Sequence, residues 1–202
     1  MNFIEQPRLY RALGALKEYN QDIWQEVEDD IWGMFGVNRA VLVIDMSHFT
    51  KITKEYGIIY YMTLIKRMQD AVALSIPRHN GQLINFLADN AFIVFNQVDD
   101  ALDCIQEVNA RIKKHNEEYK ESEDVVLCAG IDIGNILNID NITIYGDPVN
   151  VASKLGEDAA EPWEVLISTR AHMHIQRKDK YSLEPHKIDE SGVEDTVYIL
   201  TS

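Results

Sequence analysis

The sequence predicts an α+β domain of ferredoxin-like, β-α-β-β-α-β order, preceded by an N-terminal helical extension. Three observations carry that expectation. The runs Ala40–Ile44 and Val125–Ile133 are almost continuously apolar, as strands covered on both faces are. Two segments repeat apolar residues at helical spacing, Tyr61, Leu64, Ile65, Met68 and Val72 in one and Ala101, Ile105, Val108 and Ile112 in the other. Between them Gln82–Phe86 and Ala91–Phe95 flank the four-residue connection Leu87-Ala88-Asp89-Asn90 and read as a hairpin.

Residues 1–37 form the extension and residues 38–202 the domain. In the extension Leu9, Leu13 and Leu16 make one apolar stripe, and Ile23, Val27 and Ile31 another, with Trp24 and Trp32 beside it. Glu26, Glu28, Asp29 and Asp30 then face water, and the helices either pack on their own domain or pair with a second chain. In the domain, Pro77 closes the first helix and His79-Asn80-Gly81 makes a turn. Glu117–Asp124 is an acidic, solvated loop. A short helix after Gly146, a strand Val165–Ser168 and a closing strand pair near Tyr181–Leu183 and Thr196–Leu200 complete the chain.

Composition removes several classes of function. With 46% apolar and 26% charged residues over 202 positions, the chain is globular. No apolar run approaches the ~20 residues that span a bilayer, and the N-terminus has no secretion-signal core. A net charge of −14 repels other polyanions and argues against nucleic-acid binding, although a metal-bound nucleotide is compatible with it. Cys104 and Cys128 sit in apolar surroundings without metal-type spacing, as buried thiols of a reducing compartment do. A cytoplasmic protein is the expectation.

Asp45 follows the first strand and Asp89 lies in the hairpin before the third. These strands are antiparallel neighbours in a ferredoxin-like sheet, so the two carboxylates meet at one edge. A divalent cation between them turns mutual repulsion into a site, and magnesium is commonly held by one or two carboxylates plus substrate phosphates. The plainer alternative makes one aspartate a helix cap and the other a turn residue. Further on, Asp147 suits an N-cap and Pro148 the first helical position, which puts Asn150 and Lys154 on one face near the helix's positive end. That pair either holds a phosphate or ribose or belongs to an ordinary surface helix.

Four segments taken together resemble a known family. Val43-Ile44-Asp45-Met46-Ser47-His48-Phe49-Thr50 is similar to the first metal motif of the class III nucleotidyl cyclases, Asp-Ile/Met-x-Gly-Phe-Thr. The stretch from Ile84 to Phe95 resembles the second, which usually carries Gly-Asp at the hairpin. Gly130-Ile131-Asp132-Ile133-Gly134 resembles the strand Gly-Ile-His-Thr-Gly. Tyr145-Gly146-Asp147-Pro148-Val149-Asn150-Val151-Ala152-Ser153-Lys154 resembles Trp/Phe-Gly-x-x-Val-Asn-Val-Ala-Ser-Arg. The likeness covers roughly residues 38–200, in the family's order, and is to the bacterial-type adenylate/guanylate cyclase catalytic domain.

The resemblance implies a chemistry. The ribose 3′-hydroxyl of a nucleoside triphosphate attacks the α-phosphate and pyrophosphate leaves. Asp45, Asp89 and the backbone carbonyl of Met46 are implied to hold two Mg²⁺ or Mn²⁺ ions per site. Asn150 orients the ribose, Lys154 takes the place of a charge-stabilising arginine, and Ser47, His48, Phe49 and Thr50 form the phosphate loop. Asn85 and Thr143 fall at the base-selecting positions, where threonine favours adenine, so ATP is the expected substrate. Aspartates and the Asn150/Lys154 helix facing one nucleotide come from different subunits, which implies a homodimer.

The chain also departs from the pattern. Lys154 keeps the charge of arginine without its planar fork. His48 replaces a glycine, either crowding the phosphates or binding them, and Ala88 replaces the hairpin glycine. Cys128 stands where an arginine often meets the triphosphate, and Asp189–Asp195 lacks a Lys-Gly pair. These changes keep a second reading open, a weakly active or non-catalytic nucleotide-binding and dimerisation module that regulates a partner. A diguanylate cyclase is excluded, because Leu87-Ala88-Asp89-Asn90-Ala91-Phe92 is not its Gly-Gly-Asp/Glu-Glu-Phe hairpin.

Overall fold

The computed structural model describes residues 7–14, 21–119, 123–189 and 196–201. Leu16, residues 120–122 of the acidic loop and residues 190–195 of the tail lie outside them. The described residues begin with helices α1 (Pro7–Gly14) and α2 (Gln21–Phe35), and α2 passes directly into β1 (Gly36–Met46). Strand β1 outruns its apolar core because a long partner continues the ladder, from Ala40↔Ile133 out to Gly36↔Leu137.

The helix predicted after β1 is two helices, α3 (Phe49–Tyr56) and α4 (Ile58–Ser75). Gly57 separates them at φ 86° and ψ 163°, a backbone conformation that side chains disfavour. Helix α4 buries Tyr61, Leu64, Met68, Ala71 and Val72, and a 3₁₀ turn at Ile76–His79 contains Pro77 and ends it. Strands β2 (Gln82–Leu87) and β3 (Asn90–Phe95) leave only Ala88 and Asp89 between them. The hairpin is therefore tighter than the four-residue connection predicted, and Ala88 takes the positive φ (54°) such turns demand.

Helix α5 (Val98–Tyr119) leads to β4 (Leu127–Ile139), whose far end pairs with a short strand, β5 (Thr143–Tyr145), too brief to leave a hydropathy signal. Helix α6 (Asp147–Ser153) runs on into a π-helical turn, Lys154–Ala159. The chain closes with β6 (Val165–Ser168), α7 (Thr169–Met173), β7 (Ser182–Lys187) and β8 (Thr196–Thr201).

All the strands join one sheet in the order β2-β3-β1-β4-β6-β8-β7, with β5 on β4. Strand β1 is antiparallel to both β3 and β4, which is the ferredoxin-like arrangement the sequence predicts. Alternation along β1 sorts its side chains. Ala40, Leu42, Ile44 and Met46 enter the main core with α4 and α5, while Val41 and Val43 belong to a second cluster beneath α6. Removing a side chain such as Leu42 wholly from water stabilises the fold by roughly 2 kcal/mol.

The extension docks on its own domain through Leu9, Ile31 and Phe35, which pack with Ile139 of β4. Leu13, Ile23, Trp24 and Trp32 remain exposed. Cys104 and Cys128 are free, buried thiols. Among the described residues no helix is long and apolar enough to cross a membrane.

Candidate active site

Asp45 is the penultimate residue of β1, and alternation turns it to the α6 side of the sheet with Val41 and Val43. The register Ile44↔Ala91 sets the end of β1 beside the start of β3, so Asp45 and the Asp89 turn come together. Burial pushes the Asp45 carboxyl up from 3.8 to about 7, and the neighbouring Asp89 adds to it. A hydrogen bond from the Met46 backbone N–H opposes the rise, while Glu157 and Asp158 contribute smaller repulsions. Two half-buried carboxylates so close to one another carry a charge that a cation would relieve.

Hard oxygen donors suit Mg²⁺ or Mn²⁺, and phosphate oxygens ordinarily complete such a shell. Asp45 and Asp89 fit that role. Among the described residues no group of three or more His, Cys, Asp or Glu side chains is assembled to hold a metal without such help.

Asp89 is fixed from behind. The Tyr61 hydroxyl, on the buried face of α4, donates to Asp89 Oδ2 at 2.8 Å. The Tyr61 ring also meets Phe49 edge-on, with centroids 5.0 Å apart and planes at 85°. Phe49 and Thr50 begin α3 and are exposed, and His48 precedes them at φ 72°, a left-handed conformation where the resembling motif has glycine. Ser47 turns inward, its Oγ 3.0 Å from the Cys128 Sγ. That thiol also donates to the Glu161 carbonyl, and burial raises its pKa, so it is an inert neutral group.

Asn85 and Thr143 lie far apart in sequence and close in space. The Asn85 Nδ2 donates to the Ile142 carbonyl at 3.0 Å, the residue before Thr143, so β2 is tied to the start of β5. The amide must point its nitrogen at that carbonyl, which fixes the Oδ1 as the opposite end; that oxygen is buried without a partner.

Helix α6 presents Asn150 to solvent while Val149 and Ala152 face the sheet. The Lys154 backbone N–H donates to the Asn150 carbonyl, so the two residues sit one turn apart. Gly146, and not Asp147, is the N-cap. Asp147 instead accepts from the Arg170 guanidinium at 2.8 Å. Arg170 also pairs with the fully buried Asp132 of β4, which accepts from Ser168 as well. Helix α6 is thus tied at its first residue to β4 and α7.

Its other end lies directly on backbone. A Cβ on Gly130 would come within 2.0 Å of the Ala152 carbonyl oxygen and 2.6 Å of the Gly156 nitrogen. One on Gly156 would meet the Gly130 nitrogen at 2.8 Å and the Val43 carbonyl at 3.1 Å. Two glycines let the π turn reach the end of β1, and with it Glu157 and Asp158 come into the field of Asp45.

Sequence reasoning singled out neither Tyr61 nor Arg170 as site neighbours. Tyr61 reads as one more apolar residue in a helical stripe, and nothing local ties Arg170 to Asp132. Gly130 and Gly134 inside a strand did carry a signal, because glycine there marks a close backbone approach.

No family model matches the chain. It is 23% identical over 163 residues, 80% of its length, to a putative adenylate cyclase 3 of Rhizobium meliloti, and it spans only 27% of that relative. Among solved structures it is similar to an adenylate/guanylate cyclase/hydrolase from Silicibacter pomeroyi, with TM-score 0.67, 24% identity, and coverage of 83% of this chain and 98% of that one. The adenylyl cyclase CyaB from P. aeruginosa matches at TM-score 0.66 and 20% identity, over 83% and 96%. The guanylate cyclase domain of RhGC from Catenaria anguillulae, in complex with GTP, matches at TM-score 0.68 and 17% identity, over 82% and 96%. The likeness read from four sequence segments therefore holds as a likeness of fold: the chain folds as class III cyclase catalytic domains do.

Proposed function

We propose that this chain is the catalytic domain of a nucleotidyl cyclase that converts a nucleoside triphosphate, ATP by preference, into a 3′,5′-cyclic nucleotide and pyrophosphate. The observation that carries the reading is the pair Asp45 and Asp89, joined at one sheet edge with the Asp45 carboxyl raised to about 7. A protein with no use for a cation there would gain stability by separating or neutralising them.

In this reading Asp45, Asp89 and the Met46 carbonyl hold two Mg²⁺ or Mn²⁺ ions, which neutralise phosphate charge and favour the ionised attacking oxygen when bound. The Ser47-His48 turn and the first residues of α3, Phe49 and Thr50, receive the terminal phosphates. Asn150 hydrogen-bonds the ribose and holds its 3′-hydroxyl toward the α-phosphorus, and the Lys154 ammonium balances the charge that grows on the transferring group. Thr143 and Asn85 meet the base, and the Thr143 hydroxyl supports adenine. The outward face of α6 supports a shared site, in which Asn150 and Lys154 of one subunit serve the aspartates of another in a homodimer.

A weakly active or purely regulatory nucleotide-binding module is the second reading. The buried neutral thiol of Cys128, bonded to Ser47 where a phosphate-binding cation is expected, favours it.

The test is purified protein with ATP, GTP, CTP and UTP in turn, with Mg²⁺ or Mn²⁺, assayed for cyclic product. Cyclic AMP is expected, and Asp89→Asn should abolish it. Asp89→Ala and Asn150→Ala should each be inactive alone and regain activity when mixed, because one site of the mixed dimer is whole. Metal-dependent binding of nucleotide with no cyclic product from any triphosphate would replace the first reading by the second.

A further inference from the structure

Tyr61 is among the largest wholly buried side chains of the chain, and its stripe-mates on α4 are Leu64, Met68 and Val72. A phenylalanine or leucine would fill the same volume with no polar atom to satisfy. The hydroxyl present there reaches Asp89 Oδ2 at 2.8 Å, and the ring stands edge-on to Phe49 of the first motif. We propose that Tyr61 is a positioning residue for the cation site: its hydroxyl sets the orientation of the Asp89 carboxylate, and its ring ties the Asp89 turn to the Phe49 loop. The inference rests on the cyclase reading, in that it takes Asp89 as a metal ligand.

Asp89 lies half-buried in a connection of only two residues, where its side chain would otherwise swing away from Asp45 under mutual repulsion. One hydrogen bond from a ring locked in the core prevents that. It engages Oδ2 and leaves Oδ1, together with a remaining lone pair of Oδ2, for a cation. A ligand oriented in advance binds its ion more tightly.

The experiment titrates Mn²⁺ into wild type, Tyr61→Phe and Asp89→Asn with a non-cyclisable ATP analogue present to supply the phosphate oxygens, following free Mn²⁺ by electron paramagnetic resonance against an analogue-only blank and normalising to folded protein. Turnover of ATP is measured across the same Mn²⁺ range. Tyr61→Phe keeps the ring and its packing, so its unfolding temperature in chelator should stay near wild type. Its half-saturating Mn²⁺ concentration should rise by about 10-fold or more. The kcat lost at low Mn²⁺ should return at saturating Mn²⁺, which a general structural defect would not allow. If Tyr61→Phe binds Mn²⁺ as wild type does while Asp89→Asn does not, the positioning role is overturned and the metal site stands. If Tyr61→Phe lowers kcat at every Mn²⁺ concentration with unchanged half-saturation, the role is structural and the inference falls. If Asp89→Asn binds Mn²⁺ like wild type, Asp89 is no ligand, and both the inference and the cyclase reading fail.

Discussion

Asp45→Asn should make the metal-free protein more stable while removing its catalytic competence. The folded chain holds the Asp45 proton up to about pH 7, whereas an unfolded aspartate loses it near 3.8. Below the lower value both states are protonated and Asp45 has no effect on stability. Between the two, the folded state binds a proton that the unfolded state has released, so stability falls as pH rises. Above about 7 both are ionised and the whole cost remains. That interval corresponds to about 4 kcal/mol at full weight, and solvent reaching a half-buried carboxylate reduces it to about 2 kcal/mol. The asparagine keeps the shape and removes the charge. At about pH 8, in chelator, it should gain about 2 kcal/mol in urea unfolding, or roughly 4–8 °C in Tm for a chain of this size. The gap should close as pH falls toward about 4. Adding Mg²⁺ or Mn²⁺ together with a non-cyclisable ATP analogue should stabilise wild type more than the variant. An Asp45→Asn protein no more stable than wild type at about pH 8, or a gap that persists near pH 4, would refute the account of a strained carboxylate pair.

Two further expectations concern the frame around the site. Gly130→Ala drives a methyl against the Ala152 carbonyl and the Gly156 nitrogen, both of them backbone, so it should cost about 3 kcal/mol in denaturant unfolding; a loss below about 0.5 kcal/mol would contradict the close approach. Ala88→Gly relieves a left-handed alanine, for about 0.5–1 kcal/mol of added stability once the extra freedom of the unfolded chain is counted, and a destabilised variant would contradict the turn.

The strand order and the meeting of Asp45 with Asp89 were legible in the sequence because both depend on long patterns. Continuous aliphatic runs mark central strands, apolar stripes mark the helices that cover them, and antiparallel neighbours fix which ends coincide. Local features were harder to read. Gly57 splits a helix whose stripe continues beyond the break, and Asp147 looks like an N-cap until Arg170 is seen to hold it. His48 and Ala88 were recognised as replacing glycines, but that both stand at positive φ is a property of the backbone alone. Tyr61 is the clearest case. Its place in the stripe was read correctly, and its hydroxyl acquires meaning only through a partner on a different element.

The contact between Gly130 and Gly156 has a mechanical consequence. Elsewhere in the domain a layer of side chains lies between helix and sheet and can give by a rotamer. At Gly130 and Gly156 main chain rests directly on main chain like a gear tooth in its slot, beside the Leu155 side chain that packs on Leu166 and Val197. At the other end Arg170 bolts the helix to β4 and α7. Segment 147–159 is therefore pinned at both ends to β4, so a displacement of Asn150 would be coupled to that strand.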